Sequence, residues 1–391
     1  MKAKEALKNL KICFVTPNYL PAVGGTEVAI HEIGKRLVEK GYDITLITRV
    51  FGVSDVSEHT DGIEIYRFAG KSGKIGFIIT QLKILKKIKE LDKTKNFDIL
   101  HQFHVFALGG ASVFAQKILK KPLVTSLMGG DTYNPFKNPI AKIFNPYMSW
   151  IMNNSDVVTS PCNELIHHAK NQGLKKDAVV IPHGVDLDDF NPNKYSKDII
   201  HKNFGILNDE TMVLSLQRLH KLKSVEYLIN AIPGVTKKSP NVKFIIVGEG
   251  PQKKELEELV KKGDIEDNVI FTGFVPHGEK LLLLLSSCDI FAFHSNYESF
   301  GIVLVEAMAS GKPVISTDVG AIPEIVDDGK TGIIVPPRDP KALANAILKL
   351  VRDKDLRIKM GIEGRKKAER EYNWDRIVEM YEGIYESLTS L

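Results

Sequence analysis

The feature that most constrains this chain is an alternation of short apolar runs and helical stretches that is set up twice. Residues 11–16 (KICFVT) form an apolar run, followed by a loop and a helical stretch over 28–40. Val28, Ala29, Ile33, Leu37 and Val38 keep a helical stripe there, and Gly41 closes it. Residues 43–47 are again strand-like. Strand, loop, helix, strand is the opening of a doubly wound parallel sheet. Further strand-like runs lie at 62–67, 98–102, 122–127, 156–160 and 178–181. The pattern breaks at PHGVDLDDFNP, punctuated by Pro182, Gly184 and Pro192, which predicts a linker at about 187–200. It starts afresh with runs at 212–216, 242–247, 269–272, 290–293 and 313–317, with helices between them. At 391 residues the chain is long enough for two domains, each with its own core.

The stretch 291–311, FAFHSNYESFGIVLVEAMASG, carries the most chemistry. An apolar run ends in a polar turn at 294–299, and a helix follows until Gly311, Lys312 and Pro313 stop it. On one continuous helix, Glu298 and Glu306 would stand about 80° apart around the axis and about 12 Å along it. With Glu298 in the loop and Glu306 one or two turns down, both can line one crevice at the carboxyl end of a strand. The N–H groups of Phe300, Gly301 and Ile302 would be unpaired at the helix start and suit an anion. Amides for a phosphate and carboxylates for hydroxyls together suit a sugar nucleotide. A solvated loop Glu and a helix-surface Glu would give the same letters.

ESFGIVLVE resembles the Glu–seven residues–Glu motif of the retaining group 1 glycosyltransferases, which have the GT-B fold. The resemblance runs over roughly 11–385 and recurs, in chain order, at 24–27, 218–223, 298–306 and 313–337. It implies two Rossmann-like parallel-sheet domains facing a central cleft. The expected division is 1–190 for the acceptor domain and 191–371 for the donor domain, with 372–391 crossing back to the first.

The same resemblance assigns residues. In the second half, a strand leads into QRLHKLK. Arg218 and Lys223 can hold a diphosphate, Arg by its fork and Lys as a point charge, although two solvated charges would look alike. The family has Gly-Arg-Leu with a Lys five residues after the Arg; Arg218 and Lys223 match, while Gln217 and Ser224 stand where the family has Gly. Gly24-Gly25-Thr26 precedes a helix, and Gly25 matches the glycine-rich loop position that reaches the ligands. Val275 follows a strand at the position where the family cradles the base. MGGD, from Met128 through Gly129 to Asp131, stands where the family has His-Gly-x-Asp beside the donor sugar. Met128 can donate no hydrogen bond and departs from that pattern.

The implied activity is retaining, metal-independent transfer from a UDP- or GDP-sugar to a glycan, lipid or small-metabolite acceptor. Catalytic residues would be Glu298, Arg218 and Lys223. Donor-binding residues would be Gly25, Val275, Phe300, Gly301, Ile302 and Glu306; a sugar or acceptor pocket would take Met128, Gly129 and Asp131. Neither a cofactor nor a metal is expected, because the cations and helix start can stabilise the leaving diphosphate. Asp186 and Asp188 have the spacing of a metal-binding pair but lie at the linker. Two alternatives are a non-catalytic nucleotide-sugar-binding partner, suggested by Met128, and an NAD-linked oxidoreductase. Against the latter, Gly248 and Gly250 lack the third glycine of a dinucleotide fingerprint, since Lys253 stands there.

A net charge of +5 is mildly basic and dispersed, which argues against nucleic acid. The segment 71–95, from Lys71 to Lys95, is helical and basic, with an apolar stripe of Ile78, Leu82, Leu85 and Ile88. Such a helix can lie on an anionic membrane, and a helix packed on its own sheet carries the same stripe. Three cysteines, without metal-ligand spacing, fit reduced thiols in a cytosolic protein. MKAKEALKNLK lacks the apolar core of a signal peptide, so the expected location is cytoplasmic, with peripheral contact at the inner membrane face.

Overall fold

The computed structural model describes residues 9–21, 24–50, 55–70, 73–129, 143–196, 198–207 and 209–389. The chain divides into two compact units, Met1–His183 with Trp374–Leu391, and Gly184–Asn373. The division thus falls at 183/184 and 373/374, not at 190/191 and 371/372.

The first unit is built on an eight-stranded sheet. Its strands are β1 (Lys11–Thr16), β2 (Asp43–Val50), β3 (Val56–Thr60) and β4 (Ile63–Ala69), then β5 (Ile99–Phe103), β6 (Leu123–Ser126), β7 (Val157–Ser160) and β8 (Val179–Val180). Their order is β3-β4-β2-β1-β5-β6-β7-β8, parallel except for the antiparallel edge pair β3–β4. The helices are α1 (Gly25–Glu39), α2 (Gly73–Lys95), α3 (Gly109–Leu119), α4 (Asn145–Asn154) and α5 (Asn163–Asn171). Strand alternation explains the two core layers. Ile12 and Phe14 of β1 enter one cluster, and Cys13 and Val15 enter the other. Both faces are covered, so the strands are continuous apolar runs and not alternating ones.

The second unit has a six-stranded sheet, β9 (Thr211–Leu216), β10 (Val242–Val247), β11 (Val269–Gly273), β12 (Ile290–Phe293), β13 (Val314–Thr317) and β14 (Gly332–Val335). Its order is β11-β10-β9-β12-β13-β14, and all the pairings are parallel. Helices α6 (Asp198–Phe204), α7 (Val225–Thr236), α8 (Lys253–Lys262) and α9 (Glu279–Ser287) come first. Then follow α10 (Ile302–Ala309), α11 (Ile322–Ile325), α12 (Pro340–Arg352) and α13 (Lys354–Glu371).

The last helix, α14 (Trp374–Thr389), belongs to the first unit. Trp374, Ile377, Val378, Tyr381 and Tyr385 recur at helical spacing and join Phe14, Ile33 and Leu37 in one cluster. A buried polar contact fixes its register. His101 of β5 bonds the Tyr385 hydroxyl through Nδ1 at 2.6 Å and the Ser126 hydroxyl through Nε2 at 2.7 Å. Burial holds the His101 pKa down at about 3, so the ring stays neutral.

Three expectations need correction. The linker region contains a helix, α6, from residue 198. The loop-rich passage after β13 contains β14, whose GIIV is short and bounded by turn residues. The apolar stripe of α2 is split: Ile84, Ile88 and Leu91 face the core and Leu85 is partly buried, whereas Ile78 and Leu82 are exposed. Among the described residues, no helix is long and apolar enough to cross a membrane.

Candidate active site

In the second sheet the strand order reverses between β9 and β12. β10 and β11 are laid down on one side, β13 and β14 on the other. A crevice opens at such a reversal, outside the carboxyl ends of the strands. The two loops that border it are 217–224, after β9, and 294–301, after β12.

The loops are tied together by their backbones. Asn296 N–H donates to the Leu222 carbonyl at 3.2 Å, and the Ser295 hydroxyl donates to the same carbonyl at 3.2 Å. The Thr317 hydroxyl, at the end of β13, donates to the Ser295 carbonyl. On this frame Lys223 Nζ lies 2.7 Å from Glu298 Oε2, an ion pair between the two loops. The ammonium also sits 5.7 Å from the Phe293 ring centroid. Glu298 Oε1 accepts from the Ser299 N–H at 3.2 Å. Arg218 is exposed at the start of the first loop.

Glu298 leads directly into α10. Gly301 is the N-cap, in a left-handed conformation, and the N–H groups of Ile302 and Val303 open the helix with no carbonyl one turn back. Phe300 is buried and its ring meets Tyr372 edge-on at 6.2 Å. Glu306 lies in the second turn and is 8% exposed. Burial raises its pKa to about 7, since nothing among the described residues compensates the charge. Val275 is buried just beyond β11, and Phe274 beside it is exposed.

Several residues that hold this site escaped sequence reasoning. Gln217 and Ser224 stand at positions expected to be glycine, and both contact buried His294: Gln217 Nε2 lies 3.1 Å from Nε2, and the Ser224 carbonyl lies 3.1 Å from Nδ1. Gly320 passes directly beneath Glu298; a Cβ there would collide with the Glu298 carbonyl oxygen. Gly248 and Gly250 are explained the same way, because a Cβ on either would strike the Gln217 or Leu219 carbonyl. These two glycines serve loop packing. Asp186 is equally structural: its Oδ1 accepts the Asp188 and Asp189 N–H groups at 3.0 Å. The signal in every case is a pairwise contact between distant loops, which one sequence does not display.

The first unit has its own reversal, between β1 and β5. Gly25 is the exposed first residue of α1, in the connection after β1. Met128 is buried in the core cluster with Phe14 and Phe103, so its thioether packs among apolar side chains. Gly129 follows it with φ +88. Asp131 lies outside the described residues.

Two family models match in chain order: residues 23–189 match "Glycosyltransferase Family 4" and residues 196–367 match "Glycosyl transferases group 1". The chain belongs to the group 1 glycosyltransferases. This glycosyltransferase is 29% identical over 373 residues to N-acetyl-alpha-D-glucosaminyl L-malate synthase from Bacillus anthracis, covering 93% of this chain and 94% of that one. It is 28% identical over 391 residues to an uncharacterized glycosyltransferase from Methanocaldococcus jannaschii, covering 96% and 98%. Its fold is that of sucrose-phosphate synthase from Thermosynechococcus elongatus, with TM-score 0.82 at 24% identity over 98% of this chain and 100% of the other. HepE from Anabaena, solved with UDP and glucose, gives TM-score 0.78 at 21% identity over the same shares. The glycosyltransferase therefore has the GT-B fold, with two parallel-sheet α/β units.

Proposed function

We propose that this glycosyltransferase moves a sugar from a UDP- or GDP-sugar to a glycan, lipid or small-metabolite acceptor, with retention of configuration and without a metal. The observation that carries the proposal is the Lys223–Glu298 pair at the strand-order reversal, directly before the open helix start at Gly301. A donor diphosphate would take over Lys223, with Arg218 and the amides at the start of α10 as further partners. Glu298, released from the ammonium, would then be free to accept hydrogen bonds from donor-sugar hydroxyls and orient the anomeric carbon. Glu306, one turn deeper, would hold the ribose hydroxyls. Val275 and Phe300 would border the nucleotide, and Gly25 in the first unit offers a helix-start amide to a ligand. HepE, the relative solved with UDP, and the relatives named as GDP-mannose-dependent mannosyltransferases support a nucleotide-sugar donor.

Bond breaking leaves negative charge on the diphosphate oxygen. Lys223, Arg218 and the helix start stabilise it as it develops, the role a metal ion would otherwise fill. The acceptor hydroxyl attacks the anomeric carbon on the face the phosphate is leaving. Its proton passes to the departing phosphate oxygen, so the sugar keeps its configuration. The proposal includes a cytoplasmic location, supported by three buried free cysteines, and contact with an anionic membrane through segment 71–95.

The test is donor turnover by the full chain in the presence of a chelator, with each nucleotide sugar in turn and NMR of the product. Transfer with the donor's own anomeric configuration supports the reading. An inverted product, or activity restored only by a divalent ion, overturns it.

A further inference from the structure

We infer that one face of the first unit is a docking surface for an anionic lipid bilayer, and that α2 forms its centre. At about 100° per residue, Ile75, Ile78 and Leu82 fall on the side of α2 opposite the buried Ile84, Ile88 and Leu91. They are 76%, 59% and 60% exposed. A single exposed isoleucine is ordinary; three on adjacent turns of one helix make a contiguous apolar strip. Lys86, Lys89 and Lys93 continue the same line toward the end of α2 and are exposed too. All six lie within an arc of about 80°. The sheet-facing side of α2 satisfies the fold, so the strip is surplus to it. Apolar turns followed by cations on one solvent-facing line suit a helix lying in a membrane interface.

The neighbouring helices carry further exposed apolar side chains. On α3, Phe114 and Ile118 are exposed one turn apart. Phe114 lies 5.5 Å from Trp150 of α4, and Lys117 stands 5.6 Å over the same indole. On the α2 side, Phe77 stacks on Phe106 at 5.5 Å, and Phe106 meets exposed Phe144 at 4.9 Å. Phe77 lies on the side of α2 opposite Ile75 and Ile78, so these rings form a separate aromatic cluster between α2 and α4. Trp and Tyr with Lys at the border of an apolar patch suit the headgroup level of a bilayer.

Charge selects the occupant. A groove of about 470 Å³ between the β3–β4 hairpin and α2 is lined by Arg67, Lys83, Lys86 and Lys87 with Asp55 and Glu90; Arg67 pairs with Glu58 and Lys86 with Glu90 at 3.7 Å, which leaves Lys83 and Lys87 in excess. Cations next to exposed apolar side chains are complementary to anionic headgroups above acyl chains. A second copy seated on the same patch would bring two such cationic ends into one interface, which is unfavourable.

The experiment is co-sedimentation of the full chain with vesicles of phosphatidylcholine alone, or with a third of the lipid as phosphatidylglycerol. The expected result is binding to the anionic vesicles only, weakened by salt. Lys86→Gln, Lys89→Gln and Lys93→Gln together should weaken it roughly a hundredfold. Ile78→Ser with Leu82→Ser should weaken it as well, with Tm unchanged because both side chains are exposed. Equal partition to both vesicles, or binding untouched by both variants, would overturn the inference. So would a dimer in lipid-free buffer that either variant dissociates. The readout uses neither donor nor acceptor, so its outcome is separate from that of the transferase reading.

Discussion

His294 and Gln217 meet beneath the loop that carries Arg218 and Lys223, with the Gln217 amide nitrogen 3.1 Å from His294 Nε2. The Ser224 carbonyl can only accept, so Nδ1 carries the proton, and Nε2 accepts from Gln217 and from the Ser215 hydroxyl at 3.1 Å. Burial lowers the His294 pKa to about 4. Between about pH 6.5 and about 4 the unfolded chain gains a proton that the folded chain refuses, so this residue costs stability as pH falls through that window. His294→Ala should cost about 2–3 kcal/mol, because it leaves buried polar partners unpaired. It should also weaken donor binding through the displaced 223–224 backbone. Thermal melts and calorimetric donor titration check both effects, and NMR of the ring should show it neutral at pH 5.

The Lys223–Glu298 pair is partly exposed, with side-chain accessibilities of 24% and 12%. Its contribution to stability is expected to be below about 1 kcal/mol. Its contribution to turnover is expected to be much larger. Lys223→Ala should lower kcat by roughly 10²–10³-fold, as the loss of one charge stabiliser does elsewhere, with a nearly unchanged melting temperature. Steady-state kinetics beside a melt separate the two. A variant that loses stability and not turnover would assign the pair to folding.

Glu306 carries the opposite pH signature from His294. Its pKa is raised to about 7 by burial. Between about 4.5 and about 7 the unfolded chain has released the proton that the folded chain keeps, so stability falls as pH rises and stays lower above that window. Glu306→Gln should therefore be more stable than the native chain at pH 8, by up to about 3 kcal/mol, and equal to it near pH 4. If the carboxylate holds ribose hydroxyls, the same variant should bind donor more weakly at pH 8. Melts at the two pH values, with and without nucleotide, measure both.

Gly320 is a site residue that touches no ligand. Gly320→Ala would drive a methyl group into the Glu298 carbonyl and strain a backbone at φ +56. A loss of about 2 kcal/mol or more is expected, with a fall in kcat/KM as Glu298 shifts. Gly329→Ala is the control, since that glycine also has positive φ but open space around it. It should lose stability and keep activity.

The layout of both sheets was legible because parallel strands covered on both faces are unbroken apolar runs, as at 11–16 and 242–247. The Glu298/Glu306 stretch was legible because strand, turn and helix start follow one another in the chain. What stayed hidden is long-range. Nothing local to Gly320 says that Glu298 crosses above it, and nothing local to Gln217 names His294. The stripe of α2 was misassigned because Ile and Leu occur on two sides of that helix, and only the packing of Ile84, Ile88 and Leu91 shows which side the sheet takes. β14 was missed because GIIV sits among the glycines and prolines of a passage that reads as loop.

The membership of α14 in the first unit bears on how the chain is made. Domains generally fold as they leave the ribosome, the earlier before the later. Here all of the second unit is synthesised before the helix that completes the first. Until Trp374, Tyr381 and Tyr385 emerge, the face of β1 and β5 that carries Phe14 and His101 is covered by α1 but lacks its second helix. The first unit to begin is thus the last to be finished, and a nascent chain halted within the second unit would show chaperones an apolar seam beside α1.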